Sequence, residues 1–577
     1  MRTLFFFLLF TPLLLQAQLP SLKLVRPSRD QVQVAVAKQF ITGATCASCN
    51  VNVNGNVVKV WPTGAFATEV MLTEGSNRIV VTATNEGGLT TERVLTYQYN
   101  KPIPEKTLTQ PTVEHVRIEP AGNLLLAPGD KVRITLKTVP GAQVRLEGLV
   151  ELKELPAADS NSVAGMYKGE YIVDENAEWL SITPKPFRFV VQTKDGLQID
   201  AATKSTYAKM PEQGLLIQTK GRLPYLLNGL GEDRLGGTKI GYLDSMITLK
   251  AIAKVNDKYR VRLSRNRDAY IEEVHVQPKS TPGFTPYSLT GSMRSWGDSA
   301  YDYVSLSLQE RLPYESWQEV NPSLIRVDVF GAVTNTNWVT QLSSAKEIKQ
   351  VYYRQTEEDV FSIYIELKHS QHWGHAVFYR GNTLIIKVKR TPLDLSLRNK
   401  TILVDAGHGG SNKGAAGIMG VFEKDLTLLV SLELQKVLER EGAKVIMTRT
   451  KDTTYENHDR LWNYKQLMPD LLISIHLNSA DDPIRVQGTS TFYKHIGFKS
   501  LTQHVLESML TLGLKEYGNI GHFNFILNGA TEYPSVLVET LFVSHPEDEA
   551  NILDPQYRKM MAEKITEGVK RWLDSVK

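Results

Sequence analysis

TILVDAGHGG, residues 401–410, is an apolar run that stops abruptly at a histidine set among glycines. A short apolar run of this kind reads as a buried strand. Glycines at 407, 409 and 410 predict a tight turn that keeps space open beside His408. Downstream, Asp425 to Glu441 puts Leu426, Leu429, Val430, Leu434, Val437 and Leu438 on one face at helical spacing, and Gly442 ends it. KVIMTR (444–449) reads as the next strand, Asp459 to Leu467 as a helix, and DLLISIHLN (470–478) as a third strand. GTSTFYK, a helix from Leu501 to Tyr517, the strand SVLVETLFV (535–543) and a helix over 556–573 complete the set. Strands alternating with helices predict an α/β domain, its mostly parallel sheet covered by helices.

Such sheets bind ligands beyond the carboxyl ends of their strands. His408 lies just past the first strand, His476 near the end of the third and Glu539 near the end of a later one, while Glu423 (VFEKDL, 421–426) precedes the first helix. Two histidines and two glutamates on one rim are the inventory of a mononuclear metallohydrolase. The residues alone do not separate the ligand glutamate from the catalytic one.

The ordered set VDAGHGG, the Glu423 motif, Arg449-x-x-Asp452, SIHLNS and LVETLFVSHPEDE resembles the zinc-dependent N-acetylmuramoyl-L-alanine amidases of type 3, over about 397–577. The resemblance implies that His408, Glu423 and His476 bind Zn2+ and that Glu539 is the catalytic glutamate. It also implies that peptidoglycan is the substrate, cut between N-acetylmuramic acid and the L-alanine of the stem peptide. Two alternatives compete: an inactive wall-binding or scaffold protein, and a metallo-amidase acting on soluble muropeptides. The family often has glycine two residues after the catalytic glutamate and asparagine later, where this chain has Thr540-Leu541-Phe542 and His545. Some relatives insert an inhibitory helix after the second histidine, and the short join from His476 to GTSTFYK leaves no room for one.

The rest of the 577 residues is read around this domain. The fold expected is multidomain, with several all-β modules before the α/β domain. Residues 1–17 have Arg2, an apolar core from Leu4 to Leu15 and Gln16-Ala17 after it, the layout of a secretory signal peptide. An exported protein is expected, acting in the periplasm or at the cell wall, with no membrane span after cleavage. Residues 22–99 alternate with period two around an NVNGNVV hairpin signal and resemble bacterial immunoglobulin-like modules. A second β-rich module is expected over 112–207, an SH3-like barrel over 209–278, and a β-rich stretch like amidase localisation modules over 283–394. Within the SH3-like stretch, Tyr259, Arg260, Arg262, Arg265 and Tyr270 read either as a glycan- or peptide-binding face or as ordinary barrel surface. A net charge of +4 without a clustered basic helix argues against nucleic acid.

The remaining polar residues read as structural. Cys46 and Cys49 in TCASCN sit in a strand-and-turn context and suggest a local staple. HSQHWGH (369–375) reads as a solvated hairpin tip rather than a metal site. His495, His504, His522 and His545 read as surface or rim, with His522 a candidate substrate contact. Asp548 and Glu549 read as a helix start after Pro546, and Arg449 and Arg460 as partners of carboxylates within the domain.

Overall fold

The computed structural model describes residues 18–102, 105–146, 150–160, 163–175, 180–231, 234–279 and 286–577. The signal-peptide reading falls on residues 1–17, outside the described residues. Among those described, no helix is long and apolar enough to cross a membrane.

The protein is multidomain, β-rich through its first two thirds and α/β at its carboxyl end. At the amino end, a three-stranded sheet (Leu22–Arg26, Lys38–Thr45, Ala65–Met71) faces a five-stranded one. Alternating side chains from both fill one core, including Ile41, Val51, Phe66, Val81 and Leu95. The hairpin pairs Asn50–Val53 with Asn56–Val58, and its turn residues Asn54 and Gly55 both have positive φ, as a two-residue hairpin turn requires. Cys46 and Cys49 form a disulfide beside this core.

The described strands between residues 114 and 278 belong to one paired sheet. Asn123–Leu126 runs parallel to Gln198–Lys209 on one side and antiparallel to Thr248–Val255 on the other. A further hydrophobic cluster extends from Met210 to Val388, so the strands on either side of residues 280–285 share one core. The basic and aromatic residues around 260 are engaged with neighbours. Arg260 pairs with Asp130, Arg262 with Asp268 and Arg265 with Glu358, while Tyr259 hydrogen-bonds Glu273. These contacts tie the stretch to the strands on either side of it, at Asp130 and Glu358.

The α/β domain has strands β1 (Thr401–Ala406), β2 (Lys444–Met447), β3 (Leu471–Asn478), β4 (Thr489–Phe492), β5 (Glu516–Ile520) and β6 (Ser535–Phe542) in the order β2-β1-β3-β6-β4-β5. All neighbours are parallel except β4 against β6. Helices α1 (Glu423–Arg440), α2 (Asn457–Leu467), α3 (Lys499–Leu510), α4 (Pro546–Leu553) and α5 (Pro555–Ser575) accompany them. Leu426, Val430, Leu434 and Leu438 of α1 are buried against Ile402, Val404, Ile473 and Ile475 of the sheet, while Leu429 is exposed. Between β3 and β4, residues 479–488 are turn and coil.

One element departs from the expected pattern. The helix expected to reach Tyr517 ends at Leu510, and a left-handed Gly513 redirects the chain into β5. Pairing of β5 with β4 overrides the helical propensity of LKEY.

The histidine-rich stretch is also corrected. His372 and His375 are buried, with 1% and 2% of their surface exposed, so HSQHWGH is not a solvated tip. It is the seam between the preceding β sheets and the α/β domain. Trp373 packs at a tilt against Trp572 of α5, whose indole N–H donates to Gln371 (3.1 Å), and Gln371 in turn donates to the Gly497 carbonyl (2.8 Å). His372 meets the Glu319 carbonyl at 2.7 Å and His375 the Ser316 hydroxyl at 3.0 Å, and burial lowers the pKa of both rings. Only His369 behaves as expected, half exposed and paired with Glu347.

Candidate metal centre

The site is assembled where β1 and β3 end and α1 begins. After Ala406 the chain passes through Gly407, where a Cβ would lie 2.6 Å from the His476 ring, so only glycine fits. His408 then adopts φ 61°, a left-handed conformation uncommon for a non-glycine residue. Two buried arginines hold the turn in that shape. Arg460 donates to the carbonyls of Ala406 (3.0 Å) and His408 (2.5 Å), and Arg449 to those of Ala406 (3.1 Å) and Gly407 (2.9 Å).

Arg460 is fixed by Asp405, which is fully buried on β1 and lies 2.8 Å from the guanidinium. Tyr464 (2.7 Å), Ser474 (2.6 Å) and Thr448 (3.1 Å) also donate to Asp405. Burial pushes the Asp405 carboxyl up, but Arg460 and the hydroxyls outweigh it and hold the pKa below the usual value. The expected carboxylate partner thus exists for Arg460. Arg449 instead serves backbone carbonyls and Thr427.

Three side chains converge on this frame. Glu423 Oε1 is 3.0 Å from His408 Nε2 and 3.2 Å from His476 Nδ1, and the three ligating atoms lie within 4.8 Å of one another. Donors of a tetrahedral zinc site, with bonds of about 2.0–2.1 Å, stand about 3.3 Å apart, so the cluster is compact enough to close on one ion. Asn412 accepts from His408 Nδ1 (2.8 Å), which turns Nε2 toward Glu423. The Glu423 carboxylate is also held from behind by Leu477 N–H (3.0 Å) and Ala415 N–H (2.9 Å). Gly414 packs on it with φ 65°, where a Cβ would come 2.5 Å from Oε2. Burial raises the Glu423 pKa, but hydrogen bonds from both histidines outweigh that and keep it well below the ordinary range. An ionised carboxylate between two imidazoles is a fitting donor set for a divalent cation.

Glu539 stands beside the cluster for a reason of register. His476 on β3 is paired with Glu539 on β6 across a parallel ladder, so both side chains point to the same face. Burial lifts the Glu539 pKa from 4.5 to about 7, an effect Glu423 reinforces and His476 and His408 oppose. Its Oε2 and the Nε2 of His476 are buried without a hydrogen-bond partner among the described residues. Both are polar atoms left for something the protein itself does not supply. They open on a cleft of about 400 Å³ whose walls include Phe523 and Phe525.

Other residues singled out in the sequence fall away from the cluster. His545 is buried rather than on the rim, because its ring caps α4 by accepting from Glu547 N–H (3.3 Å). Asp548 and Glu549 lie in the first turn of α4, and both are buried. Asp548 accepts from Gly488 (2.7 Å) and Phe542 (3.0 Å), and Glu549 from Met419 (2.8 Å). Leu541, where the resembled family often has glycine, fills the core. His522 is exposed next to Phe523.

Residues 402–571 match the sequence profile of the N-acetylmuramoyl-L-alanine amidases, and the carboxyl-terminal domain belongs to that family. Among curated proteins, the probable cell wall amidase LytH of Staphylococcus aureus is 35% identical over 178 residues, 30% of this chain. The aligned region spans 58% of that relative. Among solved structures, an N-acetylmuramoyl-L-alanine amidase from Clostridium difficile 630 is 30% identical, with a TM-score of 0.30, over 31% of this chain and 98% of its own. The catalytic domain of CwlV from Bacillus (Paenibacillus) polymyxa is 29% identical, with a TM-score of 0.29, over 31% of this chain and 99% of its own.

Proposed function

We propose that the protein is an exported, zinc-dependent amidase that cuts peptidoglycan between N-acetylmuramic acid and the L-alanine of the stem peptide. The observation that carries this reading is the convergence of His408, Glu423 and His476 beside an unpartnered Glu539 oxygen, in a domain of amidase sequence. His408, Glu423 and His476 would hold the ion. When bound, zinc supplies Lewis acidity, making water more acidic and polarising a carbonyl. Glu539 takes the proton from the attacking water and passes it to the leaving nitrogen, which departs as the free amino group of the peptide. Burial raises the Glu539 pKa above that of an ordinary carboxylate, which helps it release to the leaving nitrogen the proton it has accepted. Asp405, Arg449 and Arg460 act through the backbone, keeping His408 in its left-handed turn. Phe523 and Phe525 give one side of the cleft an apolar wall.

Export is supported by the apolar run from Leu4 to Leu15 and by the name of the cell wall relative. The β modules would place the enzyme at the wall. Digestion of purified peptidoglycan, with and without chelator, tests the reading by mass spectrometry. Metal-dependent release of stem peptides with free amino-terminal alanine is expected. Binding without cleavage would refute catalysis in favour of a scaffold, and cleavage of soluble muropeptides alone would refute the intact wall as substrate.

A further inference from the structure

The cleft over Glu539 is not built by the α/β domain alone. Strands Tyr225–Leu227 and Lys239–Tyr242, far upstream, form an antiparallel pair, and the connection between them carries Arg234 and Leu235 into the lining of the cleft. A clasp keeps that connection in place. Asn524 Oδ1 accepts from Lys239 N–H (2.9 Å), while Asn524 Nδ2 donates to the Gly237 carbonyl (3.0 Å). Lys494 adds a hydrogen bond to the Lys239 carbonyl (3.0 Å). Asn524 sits between Phe523 and Phe525, so the residue that grips the upstream hairpin is flanked by two that line the cleft.

Arg234 is exposed at this rim and forms no ion pair or hydrogen bond among the described residues, although its charge acts across the cleft to lower the Glu539 pKa. The cleft's other charged groups are already used. Glu423 is engaged by both histidines, and Glu539 is aimed at the reacting centre. A guanidinium offers a planar fork matched to a carboxylate, and a partly desolvated cleft strengthens such a pair. Building on the amidase reading, we propose that Arg234 binds a carboxylate on the peptide part of the substrate. The upstream module thereby sets substrate preference.

The test uses the full-length, zinc-loaded protein and two synthetic muramoyl peptides that differ only in a peptide carboxylate, free in one and a carboxamide in the other. Wild type should prefer the free acid by roughly 10- to 100-fold in kcat/KM, the range of a charge-assisted hydrogen bond, mainly through KM. Arg234→Ala should bring that ratio close to one, and Arg234→Lys should restore part of it. Asn524→Ala, which releases the clasp, should lower the ratio as well. An unchanged ratio in Arg234→Ala would overturn the assignment, as would a fall in which both substrates suffer equally. Calorimetric binding of the two peptides to Glu539→Gln repeats the comparison without turnover, and equal affinity for both would also overturn it. If wild type turns over neither peptide while these binding affinities differ, the amidase reading fails and the Arg234 contact stands.

Discussion

Replacing Asp405 with asparagine should damage the metal centre without touching a ligand. Asn keeps the size of the side chain and one oxygen, but removes the charge opposite Arg460, which is only 2% exposed. It also turns one acceptor into an amide donor amid the donors Arg460, Tyr464, Ser474 and Thr448. Breaking a buried ion pair by removing one partner costs about 3–5 kcal/mol. Arg460 keeps the carbonyls of Tyr455, Ala406 and His408, so the lower end, about 3 kcal/mol, is expected. Hydrogen exchange of peptides covering 401–410 and 471–478 reads this directly, and protection there should fall by roughly 100-fold. The same loosening frees the His408 turn, so zinc affinity measured against a competing chelator should fall by about 10-fold, as for other residues that orient a ligand. Protection within threefold of wild type, together with unaltered zinc affinity, would show that Asp405 does not organise this turn.

Other outcomes follow from the same geometry. Glu539→Gln should retain zinc by elemental analysis and lose nearly all turnover; substantial activity would remove Glu539 from the proton-transfer role. His408→Ala should lower zinc content, and unchanged content would mean that another residue is the ligand. The proton acceptor must be ionised, so kcat/KM should rise with pH through a limb between 4.5 and about 7, burial raising Glu539 and bound zinc drawing it back down. A limb below 4.5 would exclude it. Burial lifts Glu549 from 4.5 to about 7, so its ionisation costs folding about 3 kcal/mol once pH exceeds the folded-state value. The stability associated with the raised pKa is full below pH 4.5 and is lost as pH rises through 7. Glu549→Gln should therefore melt close to wild type at pH 4.5 and clearly higher at pH 8, and a pH-independent difference would refute this.

The sequence made the α/β domain legible because its signals are local. Apolar runs, helical spacing and Gly442 each act within a few residues, and the outcome differs mainly where β5 captured a stretch with helical character. The four rim residues were legible for the same reason, each ending a strand or opening a helix. What escaped depends on contacts between distant segments. Asp405 was in plain view within VDAGHGG, but its work depends on Arg460, 55 residues later. His372 and His375 looked solvated because α5, which covers their segment, is about 200 residues away in sequence. Arg234 carried no motif at all, and only its location across from Glu539 gives it meaning.

The Asn524 clasp has a consequence for how such proteins diversify. When two modules are merely strung together, recombination can exchange one and leave the other's chemistry intact. Here the hairpin gripped by Asn524 contributes a wall of the reaction cleft, so a crossover between that hairpin and the α/β domain would transplant an enzyme with one side of its cleft missing. Address and appetite are then inherited together, and a change in one exposes the other to selection.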